Sequence, residues 1–317
     1  MNRKMALQVC SGFLIAVFLQ NVAAAQNKNL EAIATLKFYA AAQGNSFPVG
    51  NSPITVCFDG ASVWVANASD HTVTKLRASD GAKLGTFPVG APPAALAFDG
   101  ANIWVTNPGS NTVTKLRASD GVKLGSFPVG TNPGGGIVFD GVNVWVSNIV
   151  SNTVTRIRAS DGANQGTFPT GGQPRGLAFD GTHVWVANSL DNTVTRLRAK
   201  DGVHQGTFPT GSGPHNLAFD GASIWVVNQT GNSVTKLRAS DGLNQGTFDV
   251  GTFPLAAACD GTSIWVTNFL DNTATKLRPS DGAILGAFSA GEEPSGIAFD
   301  GANIWVANQS AGTVSKL

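Results

Sequence analysis

The stretch FDGANIWVTN, residues 98–107, decides the fold, because the rest of the chain consists of its copies and the connectors between them. Aligned on tryptophan it recurs at Trp64, Trp104, Trp145, Trp185, Trp225, Trp265 and Trp305, with a period of 40 residues and one step of 41. Those seven are all the tryptophans of the chain. Asp stands five residues before each, Gly four before and Asn three after. Length alone, at 317 residues, suggests two domains, but a fixed period in this range marks a repeat architecture.

The second copy divides at its turn signals into four short runs: 95–98 (ALAF), 102–107 (NIWVTN), 112–117 (TVTKLR) and 124–129 (LGSFPV). Runs of four to six residues rich in Val, Thr, Ile and Trp, closed by Asp-Gly and Asn-containing turns, predict four antiparallel strands per repeat. The 38 glycines and the 13% of charged residues agree with many short strands and tight turns. Apolar residues occupy both parities, with Ile103 and Val105 on one face and Trp104 on the other. A sheet that is apolar on both faces needs a neighbour on each, which a ring of blades provides. Pro48, Pro88, Pro128, Pro169 and Pro209 in the fourth run cannot donate a ladder hydrogen bond, so that strand belongs at the outer rim.

The sequence ends on a third strand, 313–317, and an orphan fourth strand, SFPVG at 46–50, precedes the first full repeat. Together they complete one blade. The expectation is an all-β, seven-bladed β-propeller over 45–317, four antiparallel strands per blade, closed by an N-terminal strand that completes the C-terminal blade. Each repeated Trp buries about 150–250 Å², roughly 4–6 kcal/mol per blade as an upper bound. The tryptophans are read as core, and the Asp-Gly and Asn residues as turn chemistry rather than calcium ligands or catalytic carboxylates.

Ahead of the repeats, Arg3 and Lys4, the apolar run 13–19 and the small residues Val22-Ala23-Ala24-Ala25 read as a secretory signal peptide cleaved after Ala25. The alternative is an uncleaved anchor. Export to the periplasm or the medium follows, with no membrane span after cleavage. Residues 26–44 form a lead-in whose Ile33, Leu36 and Phe38 supply either an extra strand or an apolar contact. Losing residues 1–25 moves the formal charge from +1 to about −1, which leaves no basic footprint for nucleic acid. Cys57 and Cys259 fall one register apart in repeats one and six and read as buried free thiols. A closed ring needs no partner copy, so a monomer is expected.

The pattern P-x-G-[IL]-A-F-D-G-x-x-[IV]-W-V-x-N, followed by N-T-V-[TS]-[KR]-[LI], S-D-G and G-[TS]-F-P-[VT]-G, resembles the YVTN-type seven-bladed β-propellers. Ile103-Trp104-Val105-Thr106-Asn107 stands where that family has its signature. The chain is also similar to NHL-like and virginiamycin B lyase (streptogramin lyase) propellers. The shared motifs are those that build blades, so the resemblance implies fold far more than function.

In such a ring the connectors before each first strand and the loops between second and third strands share one face, around the channel mouth where ligands bind. Function should break the repeat there. The position ten before each Trp reads Ile54, Ala94, Gly135, Arg175, His215, Leu255, Ser295. Arg175 and His215 stand out, with Asn216, Ser295 and the Glu292-Glu293 pair completing the candidate ligand site. His71, His183 and His204 are dispersed over two faces and make no metal site. Ile149-Val150, Leu190 and Phe269-Leu270 place apolar residues at loop tips of the same face. The lyase resemblance implies a magnesium ion held by a His in this connector, with a second His and a Glu one blade later. His215 matches the first, but Leu255 and Phe253 occupy the other two positions, and apolar side chains neither ligate nor transfer protons. With no catalytic set visible, the reading is an exported, non-catalytic propeller that binds a protein, glycan or small ligand at the channel mouth. The alternatives are a lyase-like metal-assisted enzyme and an envelope structural protein.

Overall fold

A computed structural model describes residues 45–317. The signal peptide, its cleavage site and the lead-in lie outside the described residues. Seven four-stranded antiparallel sheets follow one another, and the strands fall within a residue or two of the expected runs. Blade two, for example, is built from Leu96–Phe98, Asn102–Asn107, Thr112–Arg117 and Lys123–Pro128. In the first six sheets the strands lie in chain order from the inside outward, so Pro88, Pro128, Pro169 and Pro209, which end fourth strands, are at the rim. Blade seven takes its outer strand, Ser46–Pro48, from the N-terminal side, paired with Thr313–Lys316 in the register Phe47↔Val314.

Seven apolar clusters fill the seven gaps between blades. The indole of each blade packs against the residues that flank the Trp of the next one, so Trp64 lies with Ile103 and Val105, and Trp305 with Val63 and Val65. That last cluster joins blade seven to blade one and closes the ring. The two parities of the second strand therefore serve two different interfaces.

Burying an indole requires an acceptor for its N–H. At every blade the Asp five residues earlier supplies it: its Oδ2 receives Nε1 at 2.7–2.8 Å. Its Oδ1 accepts the backbone amides two and three residues on, as Asp99 does from Ala101 and Asn102, so one carboxylate fixes both the turn and the core. Two more side chains of the blade then pack near the indole. The Phe of the outer strand lies 4.9–5.8 Å from it, centre to centre. A Lys or Arg of the third strand lies 4.8–5.4 Å above it.

Those cations also reach forward to the next blade. Lys75 Nζ donates to the Ala118 carbonyl at 2.6 Å, and Lys316 donates to Ala78 at 2.9 Å across the closure. The same turn receives the aromatic ring: a Cβ on Gly121, which has φ +74°, would stand 2.2 Å from Cε1 of Phe87 in the preceding blade. Only glycine meets both demands.

Among the described residues these two rim contacts are not made between blades six and seven, where blade seven's outer strand is Ser46–Pro48. Lys276 turns instead to Asp260 of its own blade at 3.5 Å, Phe288 is 41% exposed, and Trp265 is the one indole with measurable exposure, 7%.

Replacing Asp140 with Ala strands the indole N–H of Trp145 and two turn amides. The expected loss is about 2–4 kcal/mol of unfolding free energy, measured by urea denaturation. An unchanged midpoint would remove the indole–carboxylate bond from the forces holding the blade.

Candidate functional site

The seven inner strands surround an axial cavity of about 280 Å³. Six of the seven residues ten before Trp line it, Ile54, Ala94, Gly135, His215, Leu255 and Ser295, whereas Arg175 is not among the lining residues. They were expected in connectors. In blades one and four to seven they lie inside the inner strand itself, where the register slips between Pro53 and Thr55, Pro174 and Leu177, Pro214 and Asn216, Pro254 and Ala257, and Pro294 and Ile297. Such bulges re-aim side chains and bend the strand; Ile54, His215, Leu255 and Ser295 reach the cavity wall from them, and Arg175 does not.

Backbones crowd at this radius. A Cβ on Gly176 would lie 2.7 Å from Cα of Asn216, and one on Gly296 would lie 2.4 Å from Cα of Thr55. Glycine at these two points lets neighbouring inner strands touch and keeps the cavity narrow.

His215 is half-buried in the wall. Its Nδ1 is 2.9 Å from the carbonyl oxygen of Leu255 in the next blade, and a carbonyl only accepts, so Nδ1 carries the hydrogen and Nε2 holds a lone pair. Burial pushes its pKa down to about 4; the Leu255 carbonyl opposes that shift and the nearby Arg175 charge adds to it. The imidazole is thus neutral at ordinary pH. Arg175 lies beside it, and burial lowers the guanidinium below its usual value. Nε of Arg175 is buried with no partner. Asn216 also lines the cavity, its Oδ1 accepting from the Ala257 amide at 3.2 Å.

The other candidates are placed elsewhere. Ser295 reaches the cavity wall, but its buried hydroxyl lies 3.2 Å from the Pro53 carbonyl and 3.4 Å from that of Ala307, which ties blade seven to blade one. Glu292 is exposed. Glu293 has φ +55°, gives its amide to Asn272, and accepts the Ser310 hydroxyl on its carboxylate. Neither glutamate lines the cavity. Gln309, which sequence reasoning missed, does. The column four residues after Trp, reading Ala68, Pro108, Ile149, Ser189, Gln229, Phe269, Gln309, held the signal for it.

Val150, Leu190 and Leu270 are exposed at their loop tips, whereas Ile149 and Phe269 are half-buried, Phe269 against Phe253 at 6.0 Å. His71 sits at φ +56°, the loop position that Asn111, Asn152, Asn192, Asn232 and Asn272 occupy in other blades. His183 and His204 begin strands of blade four rather than occupying turns; they contact Asp180 and Thr207.

The propeller thiols are free. They are half-buried rather than fully buried, because both lie in inner strands near the axis, where packing is looser than around the indoles. Cys57 packs into the interface of blades one and two, and Cys259 into that of five and six, so they cannot pair. Burial and then the Asp59 charge push the Cys57 thiol up to about 12; burial raises Cys259 as well.

Comparison with known proteins extends this picture. A streptogramin B lyase structure superimposes with a TM-score of 0.73 at 21% identity, over 86% of this chain and 95% of that one. A hydrazine synthase of Kuenenia stuttgartiensis does so with a TM-score of 0.73 at 18% identity, over 84% of this chain and 95% of the other. The likeness is one of fold. No family model and no curated protein sequence matches the chain.

Magnesium enters only through the lyase resemblance, and the donor set does not fit it. His215 has one nitrogen committed to Leu255, and Leu255 and Phe253 offer only apolar side chains. Among the described residues no three His, Cys, Asp or Glu side chains come together.

Two outcomes follow from the ionisations. A folded-state pKa near 4 against an ordinary 6.5 for His215 means that the unfolded chain binds the extra proton first. Stability is therefore complete above about pH 6.5 and falls by roughly 1–3 kcal/mol as pH drops toward 4. Melting temperatures across that range should show this limb in the wild type and a flatter one in His215→Gln. With a disulfide-exchange reagent at pH 8, Cys57 and Cys259 should stay unmodified in the folded protein and react in denaturant, read by peptide mass; rapid labelling of Cys57 without denaturant would contradict its environment.

Proposed function

We propose that this chain is an exported, non-catalytic β-propeller that holds a small polar ligand at the mouth of its axial cavity. The observation that carries the reading is that His215 and Asn216, which depart from the repeat, line the axial cavity to which all seven inner strands contribute, while Arg175 of the adjacent blade, outside the lining itself, is near enough for its charge to act on His215. A pocket of about 280 Å³ whose wall is polar and apolar in about equal share suits a small polar molecule. Catalysis finds less support. The single imidazole has no partner acid or base in the wall, and the acidic pair of blade seven is engaged elsewhere or exposed. Export rests on the N-terminal sequence alone.

Purified protein tested by thermal shift against a panel of small polar metabolites should show saturable stabilisation by at least one, lost in both Arg175→Ala and His215→Ala. Stabilising ligands whose effect survives both substitutions would move the site away from the cavity mouth. Stoichiometric divalent metal in the wild type that disappears in His215→Ala would instead favour the lyase-like alternative.

A further inference from the structure

Nine arginines lie among the described residues. Six pair with the Asp three residues on, and Arg156 and Arg196 donate to carbonyls of the next blade. Arg175 alone has no hydrogen-bond or ionic partner for its guanidinium, although its Nε is buried. Asp191, in the loop between the second and third strands of the same blade, accepts the Gly172 amide at 2.7 Å. The cavity wall beside Arg175 contains no acidic residue. An unmatched cation next to His215, which lines that cavity, adds positive potential there, and the group that satisfies it best is a carboxylate held by the planar guanidinium.

His215 adds a second requirement of opposite sense. Its Nδ1–H is given to Leu255, so Nε2 presents a lone pair and needs a donor, which a simple anion lacks. An ammonium donor would bring a positive charge toward Arg175. A hydroxyl donates without that penalty. The cavity volume, about 280 Å³, equals roughly nine waters at ~30 Å³ each.

We infer that the ligand is a small hydroxycarboxylate, its carboxylate on the Arg175 guanidinium and its hydroxyl donating to Nε2 of His215. This rests on the cavity-mouth binding reading and assigns its ligand class.

Isothermal titration with lactate, gluconate, propionate, lactamide and alanine separates the two. Lactate or gluconate should bind, propionate at least about fivefold more weakly, and lactamide and alanine undetectably. Arg175→Gln should weaken the hydroxy acid at least about tenfold. His215→Leu should bring lactate down to the affinity of propionate, because only the hydroxyl loses its partner. Cooperative melting of both variants, and unchanged binding in His204→Ala on the opposite face, establish that the fold is intact. Lactamide binding as well as lactate, with loss in His215→Leu, overturns the carboxylate class and leaves the mouth as a binding site. Hydroxy-acid binding that Arg175→Gln does not weaken overturns the inference as well. Failure of every probe at millimolar concentration, together with an empty metabolite screen, overturns both.

Discussion

A buried indole N–H must find an acceptor, and the ring rests on meeting that demand seven times with one carboxylate per blade. Because the same Asp also receives two turn amides, the hairpin and the core cannot be altered separately. The Trp so held is in contact with a Phe and a cation of its own blade. The cation spends its remaining donors on the neighbouring blade. Closure thus emerges from local contacts repeated at a fixed angle, and Phe47 and Lys316 show the repeat running through the gap between the two ends of the domain.

Architecture was largely legible in the residues because each repeat carries its own strand and turn signals, and because SFPVG at 46–50 has an obvious missing partner at 313–317. The Asp-Gly turn was legible as a turn; its bond to Trp was not, since a spacing of five carries no sign that the two side chains meet. The inner-strand bulges were hidden too. Nothing in PRGLAF or PHNLAF announces a register slip, so Arg175 and His215 read as connector residues although they are held within strands.

Symmetry explains why chemistry is harder to read than fold. Seven equivalent positions around an axis present the same group seven times, and an asymmetric ligand is recognised only by the copies that differ. Arg175 and His215 differ by charge and were visible for that reason. Gln309 differs more quietly, in a column where five other side-chain types, and a second Gln at 229, already occur. The two glutamates looked equally distinctive, but the left-handed backbone at Glu293 and its bond from Ser310 turn that side chain to a different task.

The interface between blades six and seven keeps its apolar filling, Trp265 with Ile297, Ile304 and Val306, but lacks the forward-reaching cation and the ring-on-glycine contact that fasten the other six. A circle with one weaker joint behaves like a bracelet with a clasp: loosening has a preferred address, and the remaining blades stay strung together while it opens. Only blade six separates that address from blade five, which carries His215.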